Sequence, residues 1–257
     1  MRAFRRAATD GAANDVVLLD GTHVIAEAIA ARITLNTMLV STRFLAEATA
    51  QDRQLPAAAS LAGAAVYEAT ASVLDAASPV RTSSGIVALA EWSAAPLTAV
   101  FAPAPALALG LLDVQDPGNV GAVIRSADAL GATGVLTLDR TAHPGGWKAL
   151  RGSMGSVFRV PVARSTHDKA IASARGQGLR IIAAVAAHAI ALDAIDLTAP
   201  TLVLLGHEGA GLSGSIADRA DARFTVPMRE GVDSLNVAVT AALVLYEARR
   251  QRGGKHL

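Results

Sequence analysis

The chain of 257 residues contains no cysteine. That absence excludes disulfides, thiolate nucleophiles and every cysteine-based zinc site. The six histidines, His23, His143, His167, His188, His207 and His256, show no HxxxH spacing, so no metal centre is expected. Aromatic residues make up only 4%, too few for an extended base-stacking platform. No apolar run reaches the ~18 residues of a membrane span before glycine, proline or charge interrupts it. The N-terminal MRAFRRAATDGAAND is basic but lacks the apolar h-region of a signal peptide. A cytoplasmic protein with no metal and no membrane partner is therefore expected. The net charge of +1 does not point to nucleic acid either. Arg2, Arg5 and Arg6 cluster at one end, and Arg249, Arg250, Arg252 and Lys255 at the other. Such clusters can contact phosphates, although solvated tails are the commoner explanation.

What is present is a large apolar fraction, 52% against 18% charged residues, enough for one large or two modest domains. In the first half, VVLLDG (16–21), MLVS, VYEA and GIVALAEW read as strands. THVIAEAIAARI and the Ala-rich stretches 43–50 and 70–77 read as helices. The prolines at 96, 103 and 105 predict a connection between halves. In the second half, ALALGLLDV, VLTL, VFRVPV, LRIIAAV, TLVLLG and RFTVP read as strands. Helices are expected over VGAVIRSADALGA, WKALRGSMGS, 167–177, 213–219 and from about Ser234 to the end. This alternation predicts an α/β fold for both halves, with domains at 1–100 and 101–257.

Three loops follow strands: QDPGN, GHEGAG and VPMREGVDSLN. In parallel βαβ units, such loops meet at the carboxyl ends of the strands. LVLLGHEGAGLS carries glycines at 206, 209 and 211, which is GxxGxG and not the dinucleotide fingerprint GxGxxG. The chain has no GxxxxGK[ST] phosphate cradle. Taken singly, each polar residue in these loops has an ordinary structural role. Asn119 suits a helix cap, Arg125 a surface ion pair, Glu208 an exposed loop carboxylate, and the glycines a turn. In VDSLN, a cap needs only Asp233 or Ser234, which leaves Asn236 unexplained on an apolar helix.

DVQDPGNVGAVIRSADALGA, LVLLGHEGAGLS and VPMREGVDSLNVAVTAALVLYEARRQ resemble, in order and spacing, the three motifs of the SpoU/TrmH-type RNA 2′-O-ribose methyltransferases. RGSMGSVFRVPV is similar to the segment this family carries between its first and second motifs, and the resemblance covers roughly residues 107–252. It implies a C-terminal trefoil-knotted methyltransferase domain behind a smaller N-terminal α/β RNA-binding domain. It also implies S-adenosylmethionine as cofactor and a homodimer whose active site is completed across the subunit interface. By the same resemblance, Asn119, Arg125, Glu208, Ser234 and Asn236 are the catalytic group. Leu205, Gly206, Val226, Met228 and Leu235 would meet the cofactor, Ser234 and Asn236 pointing polar groups into the site. Arg151 and Ser153 would contact RNA, with a purely structural Arg151 as the alternative. The implied activity is methylation of a ribose 2′-hydroxyl in structured RNA, with ribosomal RNA as the expected substrate. A tRNA enzyme, or a noncatalytic RNA-binding or ribosome-assembly protein of the same fold, is the competing reading. A nicotinamide-dependent enzyme is disfavoured by the glycine order.

Overall fold

The computed structural model describes residues 1–10, 15–80, 83–186, 189–207 and 211–253. Along the chain it runs α1 (Arg2–Asp10), β1 (Val16–Asp20), α2 (Thr22–Ala30), β2 (Leu35–Ser41), α3 (Thr42–Glu47), α4 (Leu55–Leu61), β3 (Ala65–Ala69), α5 (Ala71–Ala77) and β4 (Ile86–Glu91). There follow α6 (Leu97–Phe101), β5 (Leu107–Leu112), α7 (Pro117–Leu130), β6 (Gly134–Leu138), α8 (Trp147–Ser153), β7 (Val162–Ser165) and α9 (His167–Gly176). The chain closes with β8 (Arg180–Ala184), β9 (Ile190–Ala191), β10 (Thr201–Leu205), α10 (Gly214–Ala217), β11 (Ala222–Thr225) and α11 (Val237–Gln251). No described helix is long and apolar enough to cross a membrane.

Two units emerge. The first combines Met1–Ser93 with His143–Arg159. Its four-stranded sheet has the order β1-β4-β2-β3, with β4 antiparallel to both β1 and β2, and β3 parallel to β2. The basic N-terminus, read from sequence as a tail, is a helix. Phe4 and Ala7 fall on one side of α1 and are buried with Leu18, Leu39, Leu74 and Val87, while Arg2, Arg5 and Arg6 stay exposed. Residues 143–159 supply α8, which packs on β1. A single cut at 100/101 cannot express that grouping.

The second unit combines Ala94–Ala142 with the chain from Val160 onward. Its sheet is entirely parallel, in the order β7-β6-β5-β10-β8-β11-β9. Every residue of β5, β6 and β10 is buried, as expected where both faces of a parallel sheet are covered. One face packs Ala108, Leu136, Leu202 and Leu204 against Val100 and Phe101 of α6 and Ala170, Ile171 and Ala174 of α9. The alternate residues Leu109, Leu111, Val135 and Val203 are also fully buried. On burial of this extent, each large side chain contributes about 1.5–3 kcal/mol.

Several boundaries differ from the sequence reading. VFRVPV is not a strand: Ser156–Phe158 forms a 3-10 turn and β7 begins only at Val162. The proline-marked connection contains the short helix α6, and α1, α4 and β9 carry no signal that periodicity detected. Helix α7 starts at Pro117, capped by Asp116, whose Oδ1 accepts from the Gly118 amide at 2.8 Å. It stops, as its glycine predicts, at Gly131 in the left-handed region.

Candidate functional site

Because all seven strands are parallel, their carboxyl ends share one edge. Strand order reverses where β10 enters between β5 and β8, the place where open α/β sheets bind ligands. A cavity of about 350 Å³ opens at the ends of β8, β10 and β11. Leu205, Gly206, Val226, Met228 and Leu235, the five residues expected to meet a cofactor, all line it, and so does Ser234. Its remaining wall includes Phe224, Leu212 and Thr240, together with Asp233 and His207. Among the described residues, no lysine or arginine lines it. An apolar cleft with a few polar groups and no cation suits a nucleoside without phosphate, and Asp233 suits a positively charged one. His207 belongs to the wall from within the second motif, whereas Ala184, Val185 and Ala186 at the end of β8 join it without any motif to announce them; only the strand order brings them there.

Glycine is required at the end of β10. A Cβ on Gly206 would lie 2.3 Å from the backbone carbon of Gly211 and 2.5 Å from the Leu212 nitrogen. The loop folds back on itself there, with the Gly211 amide donating to the His207 carbonyl at 2.8 Å. Bare backbone thus forms this part of the wall. Glu208 lies outside the described residues.

The start of α11 answers the question left by Asp-Ser-Leu-Asn, and corrects the sequence reading. The helix begins at Val237, and the residue that caps it is Asn236 itself. Its Oδ1 accepts from the Ala238 amide at 2.8 Å and the Val239 amide at 3.4 Å. Its Nδ2 donates to Asn119 Oδ1 at 3.0 Å. Asn119 sits in the first turn of α7, so it does not cap that helix; Asp116 does. One asparagine therefore ends its loop and ties it to the first turn of α7, and α7 and α11 pack along each other. Neither asparagine lines the cavity.

Arg125 lies further along α7, exposed, with no ion pair or hydrogen bond among the described residues. It is not part of the cavity wall. Within the chain the structure assembles the cofactor-side residues and the Asn119–Asn236 pair, and leaves Arg125 outside them.

Arg151 and Ser153 belong to the first unit. Arg151 is exposed at a cavity of about 230 Å³ shared with Asp20, His23 and Ser84. Burial pushes the Asp20 carboxyl above its ordinary value, against the opposing pull of Ser78, Arg151 and Ser84. Ser153 is 0% exposed and its hydroxyl donates to the Leu150 carbonyl at 2.8 Å. A hydroxyl so placed completes the end of α8 and offers nothing to an RNA phosphate. Among the described residues there is no group of three side chains able to hold a metal.

The comparisons with known proteins agree with this geometry. Residues 106–246 match the model of the SpoU rRNA methylase family. An uncharacterized tRNA/rRNA methyltransferase of Mycolicibacterium smegmatis is 40% identical over 150 residues, covering 58% of this chain and 48% of that protein. The matched stretch thus spans about half the length of that relative. In structure, the AdoMet-bound rRNA methyltransferase of Sinorhizobium meliloti superposes with a TM-score of 0.85 at 27% identity, over 97% of this chain and 93% of that one. An RNA 2′-O ribose methyltransferase superposes with a TM-score of 0.78 at 29% identity, over 98% and 93%.

Proposed function

The chain belongs to the SpoU rRNA methylase family, and on that premise we propose that it transfers the methyl group of S-adenosylmethionine to a ribose 2′-hydroxyl of structured RNA, with ribosomal RNA as substrate. The observation that carries this reading is the apolar cavity at the switch point of the parallel sheet, lined by no described cation and closed by the backbone of Gly206 and Gly211. When bound there, the cofactor supplies a methyl group on a sulfonium, with a neutral thioether as leaving group.

The protein's own residues hold and orient. Leu205, Val226, Met228 and Leu235 offer apolar contact, Gly206 offers backbone, and Asp233 offers negative charge to a cationic ligand. Ser234 lines the same wall. The Arg125 guanidinium offers donors and no acceptor, so its part is to stabilise the developing alkoxide of the ribose. Asn119 and Asn236 fix the loop before α11 against the first turn of α7. Ribosomal RNA is favoured over tRNA by the match to an rRNA methyltransferase across 97% of this chain.

A homodimer completes the reading. Val239, Leu243 and Tyr246 follow one another at helical spacing on α11 and are 48%, 39% and 64% exposed. An apolar stripe of this kind fits a second copy of α11, and the catalytic group would be assembled across that interface. The return of the chain from β9 to a central position at β10 is in keeping with the C-terminal trefoil knot expected of the family.

The test is an Arg125→Ala variant beside wild type. Transfer of labelled methyl to RNA is expected to fall by roughly 10²–10³-fold, the scale for losing one transition-state donor, while calorimetric affinity for S-adenosylmethionine is retained. Wild-type protein that does not bind S-adenosylmethionine would overturn the proposal. Mapping ribose methylation in RNA from a deletion strain against its parent identifies the nucleotide.

A further inference from the structure

The carboxyl edge of the parallel sheet carries a second cavity, about 430 Å³, at the ends of β6 and β7. It is lined by Thr137, Asp139, Arg164, Ser165, Thr166 and Lys169. Arg164 stands opposite Thr137 in the β6–β7 register, and Lys169 lies in the first turn of α9, where its amide donates to Thr166 Oγ1. Both cations are exposed and neither makes an ion pair among the described residues.

The carboxylates nearby are engaged elsewhere. Asp139 accepts from the His167 ring at 2.6 Å and from the His167 amide at 3.4 Å. Asp168 is paired with Arg219 at 2.5 Å, which holds its carboxyl below the ordinary value. Asp113, at the end of β5, faces Arg140 at 3.5 Å. The cavity therefore presents two cations outside any ion pair, against the single carboxylate of Asp139, which is hydrogen-bonded to His167; with hydroxyls beside them, this is a net-positive donor set suited to a phosphate oxygen. Its chemistry is the reverse of the first cavity, which no described cation lines.

Position specifies the ligand further. β7 and β10 are separated by β6 and β5, so three strand spacings of about 4.8 Å place this cavity on the order of 15 Å from the β10 loop, along the same edge. A polymer of phosphodiesters entering the reacting centre would pass it.

We propose that Arg164 and Lys169 form a phosphodiester-binding subsite that holds the backbone of the RNA substrate at the edge of the methyltransferase unit. The subsite rests on the functional reading above and extends it to how substrate is positioned. It reads charge and not sequence, so it adds affinity and register without choosing a base.

The experiment uses the 257-residue chain and an Arg164→Gln, Lys169→Gln double variant. Binding of a fluorescent RNA hairpin is followed by anisotropy from low to physiological salt, and S-adenosylmethionine binding by calorimetry. The variant should bind the hairpin about tenfold more weakly. The slope of log affinity against log salt should shrink by about 0.7–0.9 for each phosphate that the variant no longer neutralises. S-adenosylmethionine affinity and the thermal midpoint should not move. The charge-keeping pair Arg164→Lys, Lys169→Arg should restore the slope. A wild type that binds both ligands, beside a glutamine variant with unchanged slope and hairpin affinity, overturns the subsite alone. A wild type that binds neither ligand brings down the functional reading and the subsite together.

Discussion

The carboxyl edge of the seven-stranded sheet ends in two ways. At β8, β10 and β11 it ends in apolar side chains and naked backbone, with Gly206 pressed against Gly211. At β5 and β6 it ends in Asp113 and Asp139, both held in the left-handed region with φ of 56° and 51°. Each of these aspartates reaches past its neighbouring strand end: Asp113 Oδ1 accepts from the Arg140 amide at 3.1 Å, and Asp139 Oδ1 from the His167 amide at 3.4 Å. Asp is among the few residues that occupy this conformation at modest cost, because its short side chain bonds locally. One wing lines its cavity with apolar side chains and, at Gly206, leaves room for no Cβ. The other uses side chains to fix strand ends and leaves Arg164 and Lys169 available to an anion. A single parallel sheet can thus offer two ligand chemistries side by side.

The contrast is broken most directly by Gly206→Ala. The added methyl meets backbone that cannot yield, an overpacking cost of about 1–3 kcal/mol. S-adenosylmethionine should bind about tenfold to a hundredfold more weakly in calorimetry. Wild-type affinity in this variant would mean that the wing is not built on bare backbone.

Comparable in size is Arg252→Met, at the opposite edge of the sheet. The Arg252 guanidinium donates to the carbonyls of Leu197, Pro105, Ala106 and Ala199 at 2.7–3.1 Å, pinning the end of α11 to segments that lead into β5 and β10. Its loss should lower unfolding free energy by about 2–3 kcal/mol in urea titration. Cofactor affinity of the folded protein should stay within about twofold, since these hydrogen bonds lie away from both cavities.

Asn236→Ala should cost about 1 kcal/mol for the lost cap. Asn236→Asp should recover most of that, because a carboxylate also caps and favours the helix N-terminus, but it cannot donate to Asn119. Comparing denaturation and methyl transfer in the two variants separates the cap from the bridge: restored stability with impaired transfer assigns the bridge to the site.

The smallest effects are expected at Asp113. Asp113→Ala removes an acceptor but keeps the left-handed backbone, for a loss of about 1 kcal/mol. Asp113→Gly loses the same bond and gains backbone ease, so its stability should lie within about 0.5 kcal/mol of wild type. Equal losses in both would show that the turn conformation carries no cost worth relieving.

Much of this is legible in the sequence, for reasons that are local. The strands β5, β6 and β10 are short apolar runs because both of their faces are covered, and a run of that kind needs no partner to be noticed. Gly131 marks a helix end through its own backbone freedom. The loops after β10 and β11 line the first cavity with residues that their motif spacing singles out. What escapes is non-local. α1 reads as a basic tail because its apolar contribution is two residues, Phe4 and Ala7, whose burial depends on β1, β2, α5 and β4. VFRVPV has the composition of a strand, but strand pairing starts only at Val162, opposite Val135.

Order along the chain was enough for the α/β class, the parallel second sheet and the loops that carry the site, because propensity and periodicity act between near neighbours. Which polar atom meets which was settled only in three dimensions. The folded chain places β10 between β5 and β8, and groups residues 143–159 with the first unit. It also makes Asn236 both the cap of α11 and the partner of Asn119, 117 residues away. An amide side chain has donors and acceptors enough for several roles, and only the path of the chain through space selects among them.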